Sequence, residues 1–133
     1  MVATWDDVRR LASALPDTDE HASYGGTPSW RVHQRAFVWE RPLRPGDRAA
    51  LGAAAPGEAE PILGVRVADE GVKAALVADE PDVFFTTPHF DGYPAVLVRL
   101  ERVPVEELAE LVEDAWRTRA PKRLLADVAG RRG

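Results

Sequence analysis

The stretch from Tyr24 to Arg41 constrains the fold more than any other: Tyr24-Gly25-Gly26-Thr27-Pro28-Ser29-Trp30-Arg31-Val32-His33-Gln34-Arg35-Ala36-Phe37-Val38-Trp39-Glu40-Arg41. Gly25-Gly26 punctuates the chain as a turn. Ser29 to His33 then reads as a strand, with Trp30 and Val32 alternating against Arg31 and His33. Ala36 to Arg41 reads as a second strand. The turn between them, His33-Gln34-Arg35, lacks the Gly or Asn that a two-residue hairpin prefers, so a longer or bulged connection is expected.

Around this ribbon the elements fall into place. Thr4 is a good N-cap with Asp7 three residues on, close to a capping box. Trp5, Val8, Leu11, Ala12 and Leu15 repeat at helical spacing, and Pro16-Asp17 stops that helix. Asp17 to Glu20 reads as a polar connector. Residues 42 to 61 hold four prolines, three glycines and six alanines, which predicts a long loop with at most a short turn or an extension of the hairpin. Ile62 to Val67 is a strand. Asp69 caps a helix running to about Ala78. Val83 to Thr86 is a short strand, Pro88 to Pro94 a loop, and Ala95 to Glu101 a clear strand. After Pro104, Val105, Leu108, Leu111, Val112, Ala115 and Trp116 form the inner stripe of a long helix whose acidic residues face water. Leu124, Leu125 and Val128 predict one more helical turn, with residues 129–133 as a flexible tail.

The predicted order is α-β-β-β-α-β-β-α. Strands and helices do not alternate strictly, which favours a single α+β domain spanning residues 1–133, two layers thick, over a doubly wound sheet. At 133 residues one core suffices. Cysteine is absent, so disulfides, thiolate metal sites and a cysteine nucleophile are excluded. The three histidines, His21, His33 and His89, have no metal-binding spacing, and no metal or cofactor is expected. Met1 to Asp7 lacks a basic region followed by an apolar run, and no stretch is long and apolar enough to span a bilayer. A cytoplasmic protein with no membrane partner is therefore expected, and a monomer is favoured.

The net charge is −5, which opposes nonspecific attraction of nucleic acid by the molecule as a whole. The charge is uneven, however. Residues 28–48 carry five arginines against two acids, and residues 117–133 carry six cations against one. Two basic segments sit in an otherwise acidic chain. The plainer alternative is a solvated strand face and a charged tail.

Several strings together resemble the MmcQ/YjbR family of small bacterial proteins. They are Leu15-Pro16 at the end of the first helix, Gly26-Thr27-Pro28-Ser29-Trp30-Arg31-Val32, Ala36-Phe37-Val38, Thr86-Thr87-Pro88-His89-Phe90-Asp91-Gly92-Tyr93, and Val96-Leu97-Val98-Arg99-Leu100. The resemblance runs from about Trp5 to Val128. It implies helices on one face of an antiparallel sheet, similar in layout to secretion chaperones. It also implies DNA as a partner, bound through a double-wing arrangement of hairpins. The chain departs from the family at the hairpin turn, where Gln34-Arg35 stands in place of the frequent Gly-Lys.

Two constellations could carry function. In the first, Arg31, Arg35, Arg41 and Arg44 contact phosphates, with Lys122 and Arg123 as secondary contacts and Trp30 and Trp39 available to stack. The alternative is that both tryptophans belong to the core and the arginines lie across them. In the second, His89, Asp91, Tyr93 and Arg31 hold a small ligand or an anion at the 86–94 loop, where a carboxylate could fix the histidine tautomer. The alternative there is an ordinary turn closed by Asp91-Gly92. No nucleophile elbow or phosphate loop is present, and no catalytic activity is expected. The sequence therefore points to a DNA-binding-like protein, with a small-ligand-binding protein or enzyme as one alternative and a chaperone-like interaction module as another.

Overall fold

The computed structural model describes residues 2–22 and 24–132, with the side chains of Tyr24 and of residues 128–132 outside that description. Among the described residues the chain forms six strands: β1 (Thr18–Ala22), β2 (Pro28–Val32), β3 (Arg35–Glu40), β4 (Ile62–Arg66), β5 (Phe84–Phe85) and β6 (Ala95–Arg99). The helices are α1 (Trp5–Ser13), α2 (Pro45–Leu51), α3 (Glu70–Asp79), α4 (Val105–Arg119) and α5 (Lys122–Arg132). All strand pairs are antiparallel, in the order β1-β2-β3-β4-β6-β5. The α+β class and antiparallel sheet are as expected.

Period-two alternation sorts the sheet into two faces. Along β4 and β6, Leu63, Val65, Val96 and Val98 enter the main core with Trp30, Val32, Phe37, Val38 and the inner stripe of α4. Leu108, Val112, Ala115 and Trp116 from that stripe are buried, and α1 packs on α4 beside them. The intervening residues Ile62, Ala95 and Leu97 join Phe90 in a second, smaller cluster, against which Trp39, Leu43 and Phe85 pack. Helix α1 opens on the expected capping box: Asp7 accepts from the Thr4 backbone N–H at 2.9 Å, and the Thr4 hydroxyl accepts from the Asp7 N–H at 3.3 Å.

Four expectations need correction. The Asp17–Glu20 connector contains most of β1, an edge strand with an almost wholly exposed burial pattern. Its backbone pairs with β2 from Thr18↔Val32 to Ala22↔Pro28. The hairpin connection is short: Val32 pairs with Arg35, and His33 and Gln34 both take positive φ, 47° and 69°. The irregularity lies further along the β2–β3 pairing, where Trp30 faces Val38 and Arg31 faces Ala36, leaving Phe37 as an extra residue on β3. Asp17, also at positive φ, meets the His33 ring at 2.9 Å and steadies the turn without glycine. The 42–61 loop encloses α2, whose Pro45 occupies the first turn and whose Asp47 accepts from the Arg44 N–H at 2.9 Å. The last helix runs to Arg132, beyond the single turn expected.

Candidate functional site

Three segments meet over the second face of the sheet: the Gly25–Thr27 turn, the end of β3 with the residues after it, and the turn after β5. They enclose a cleft of about 670 Å³ lined by Gly25, Thr27, Trp39, Arg41, Arg44, His89, Phe90 and Tyr93, among others. Trp39 and Tyr93 come from different strands' ends, and Phe90 is buried beneath the cleft in the second cluster. Arg44 and His89 are exposed.

Arg41 is the most enclosed cation here, only 7 % exposed. Its Nη1 lies 3.1 Å from the Asp47 carboxylate and also donates to the Pro42 carbonyl. Its guanidinium sits over the Phe90 ring, 5.3 Å from the centroid. Its Nη2 is buried without a hydrogen-bond partner among the described residues. Burial pushes the Asp47 carboxyl up, but the Arg44 backbone N–H and the charge of Arg41 outweigh that and hold it below the usual carboxylate range. Thr87, fully buried, lies close enough to Asp47 to add to this lowering, without standard hydrogen-bond geometry.

The far wall is fastened from a distance. Lys73, on α3 and 5 % exposed, donates from Nζ to the Phe90 carbonyl at 2.6 Å and to the Tyr93 carbonyl at 3.0 Å. One buried ammonium thus fixes both ends of the 90–93 segment. The Arg66 guanidinium covers the other side of this segment, 4.7 Å from the Tyr93 ring centroid.

The residues singled out in the sequence divide accordingly. His89 and Tyr93 line the cleft with Arg41 and Arg44. Arg31 is elsewhere, on β2, giving Nε and Nη2 to the Asp19 carboxylate at 3.3 and 3.1 Å. That pairing holds Asp19 below its ordinary pKa. Asp91 is exposed and does not line the cleft. Arg35, at the start of β3, is exposed, as are Lys122 and Arg123 in the first turn of α5. Trp30 is wholly buried, its indole N–H donated to Glu20 at 3.1 Å, so it offers nothing to stack on. Trp39 is half-buried on the opposite face. Sequence reasoning missed Lys73, Arg66 and Arg119. Lys73 left a faint signal as the one cation on a mostly apolar helix, and Arg66 as the charged end of an otherwise apolar strand.

Among the described residues no cluster of three or more His, Asp or Glu side chains could hold a metal ion. No helix there is long and apolar enough to cross a membrane. Among the described residues the exposed large apolar side chains are Val2, Val72 and Tyr93.

The fold is shared with solved proteins of distant sequence. A Deinococcus radiodurans protein, DR2400, with domain DUF419, superposes with a TM-score of 0.64 at 21% identity, over 86% of this chain and 77% of that one. A protein from Pseudomonas syringae gives 0.65 at 12% identity, over 87% and 98%. Nearer in sequence are the uncharacterised proteins Rv2570 of Mycobacterium tuberculosis and Mb2600 of Mycobacterium bovis. Each is 56% identical over 127 residues, which is 93% of this chain and 94% of the relative. The YjbR family model matches residues 13–118, a span that takes in the hairpin, both walls of the cleft and most of α4. The chain belongs to the YjbR family.

Proposed function

We propose that this protein binds a small anionic ligand with a flat ring, held in the cleft between the Gly25–Thr27 turn and the 88–93 segment. One observation carries this: three rings, Trp39, Phe90 and Tyr93, share a cleft of ligand-sized volume with Arg41, Arg44 and His89. The rings offer stacking area. Arg44 and His89, both exposed, supply charge and hydrogen bonds to a carboxylate or phosphate. Arg41 is committed to Asp47 and the Pro42 carbonyl and serves to shape the wall. His89 and Tyr93 are the site residues retained, joined by Arg44. No reaction is proposed.

The test is a panel of aromatic carboxylates and nucleotides, followed by tryptophan emission and thermal unfolding. A true ligand changes Trp39 emission and raises Tm, and Arg44→Ala and His89→Ala each weaken it about tenfold or more. A panel that leaves emission and Tm untouched at millimolar concentration removes this function.

DNA is a second reading, favoured by one observation. Arg35 lies near enough to Arg119 to act on its charge, and Arg119 is three residues before Lys122. The tip of the hairpin and the start of α5 therefore approach one another. Arg35, Arg44, Lys122 and Arg123 would contact phosphates, while Arg31 and Arg41 are already engaged by Asp19 and Asp47. Titration of labelled duplex at several salt concentrations tests it. No binding at low salt excludes it.

A further inference from the structure

Beside the cleft, and sharing Trp39 and Tyr93 with it, lies a second hollow of about 300 Å³, lined by Ser29, Ala36, Trp39, Tyr93 and Arg119. Arg119 enters from the last turn of α4, and Arg35 precedes Ala36 at the start of β3. Arg66, the last residue of β4, lies over the Tyr93 ring. Arg66 and Arg119, from two elements, thus meet at one tyrosine, with Arg35 next in sequence to Ala36 of the hollow's lining.

They are left without acids. Six arginines elsewhere meet acids: Arg9 with Glu20, Arg10 with Asp7, Arg31 with Asp19, Arg41 with Asp47, Arg99 with Glu60 and Arg117 with Glu113, while Arg48 and Arg102 donate to backbone carbonyls. Among the described residues no ion pair joins Arg35, Arg66 or Arg119 to a carboxylate. Asp114 shares a neighbouring groove with Arg66 but does not pair with it. The Arg119 Nε is buried with no hydrogen-bond partner among the described residues, and a buried guanidinium N–H left unpaired requires an explanation. Burial lowers the Arg119 pKa, and the charges of Arg66 and Arg35 lower it further against a raising effect of Tyr93, so both cations lie within electrostatic reach of Arg119.

We propose that Arg35, Arg66 and Arg119 form a subsite for the terminal phosphate of a small phosphorylated molecule, seated in this hollow against Tyr93. Guanidinium groups from three elements suit the several oxygens of a tetrahedral dianion better than a planar carboxylate. A hollow of about 300 Å³ has room for a phosphate group. This subsite does not depend on a ligand in the adjoining cleft.

The experiment is calorimetric titration of the full chain with inorganic pyrophosphate at low ionic strength, where such attraction is least screened. One saturable site is expected. Arg66→Gln, Arg119→Gln and Arg35→Gln should each weaken it by about tenfold or more, while Arg10→Gln, on α1, leaves it unchanged. Should Arg119→Gln fail to fold, the exposed Arg35→Gln carries the comparison with Arg66→Gln. No saturable binding by the native protein overturns the proposal, as does native affinity in both Arg35→Gln and Arg66→Gln. Loss of pyrophosphate in Arg44→Ala or His89→Ala, with the triad variants intact, would place the anion in the cleft and equally overturn it. Duplex DNA that displaces pyrophosphate and binds more tightly would overturn the choice of a small ligand.

Discussion

The indole of Trp39 lies flat against Gly64, its direct partner across the β3–β4 pairing. A Cβ built on Gly64 would fall 2.3 Å from the ring, far inside van der Waals contact. The glycine is therefore the seat of the tryptophan, and the tryptophan lines both the cleft and the arginine hollow.

Gly64→Ala should lift the indole off the sheet. The expected cost is about 1–3 kcal/mol from overpacking, with a red shift of tryptophan emission. Thermal denaturation and fluorescence of the variant check it. An unchanged Tm together with unchanged emission would show that the ring does not rest there.

Lys73→Met removes the donor from the carbonyls of Phe90 and Tyr93 while keeping the apolar stem. Two carbonyls lose their partner, which should destabilise the protein by about 2 kcal/mol. Proteolytic cleavage should rise within residues 88–94 before the rest of the chain. Cleavage confined to native rates would assign that segment's order to something other than the lysine.

Stability should depend on pH at the acid end. Glu60 is gripped by Arg99, which donates Nε and Nη2 to its two oxygens, and this pairing lowers the Glu60 pKa against the opposing effect of burial. Asp47 is lowered too, the Arg44 N–H and Arg41 outweighing burial. A carboxylate depressed by folding contributes stability that is complete above its unfolded pKa and is lost as pH falls through its folded one. Tm should thus hold between about pH 7 and pH 5.5 and fall below about pH 4.5. Glu60→Gln should lower the plateau by about 1–3 kcal/mol and soften the acid fall. An acid limb identical in the variant and the native protein would deny the pair this role.

If duplex DNA binds, its salt dependence is bounded. Four available cations, Arg35, Arg44, Lys122 and Arg123, limit the slope of log K against log salt to about −3.6, at about −0.9 for each phosphate contact. A slope near −5.4 would require two more cations, either the unpaired Arg66 and Arg119 or Arg31 and Arg41 drawn away from Asp19 and Asp47. Fluorescence anisotropy across a salt series gives the number.

The parts of the fold legible in the sequence are those where apolar residues recur at a period. The stripes of α1 and α4, and the strands β2, β4 and β6, all announce themselves this way. Strand β1 does not, because an exposed edge strand alternates nothing apolar, and its pairing is written in the backbone. Helix α2 hides among prolines and glycines, although Pro45, Asp47 and the alanines after them are a helix start. The hairpin turn was misjudged from residue type, since His33 and Gln34 accept left-handed geometry with Asp17 beside them. Half of the cleft was legible through His89 and Tyr93. The arginine hollow was not, because Arg35, Arg66 and Arg119 are brought together only by the pairing of β3 with β4 and the return of α4 across them.

The sheet ends in unlike borders. On one side β5 spans only Phe84 and Phe85. On the other, β1 presents Asp19, Glu20 and His21 along an exposed rim. A border two residues long gives an incoming strand little to zip onto, and a charged one repels it. Neither margin invites fibre-like growth, so copies of this chain that associate would have to do so through their faces, leaving the rows of backbone amides out of the contact.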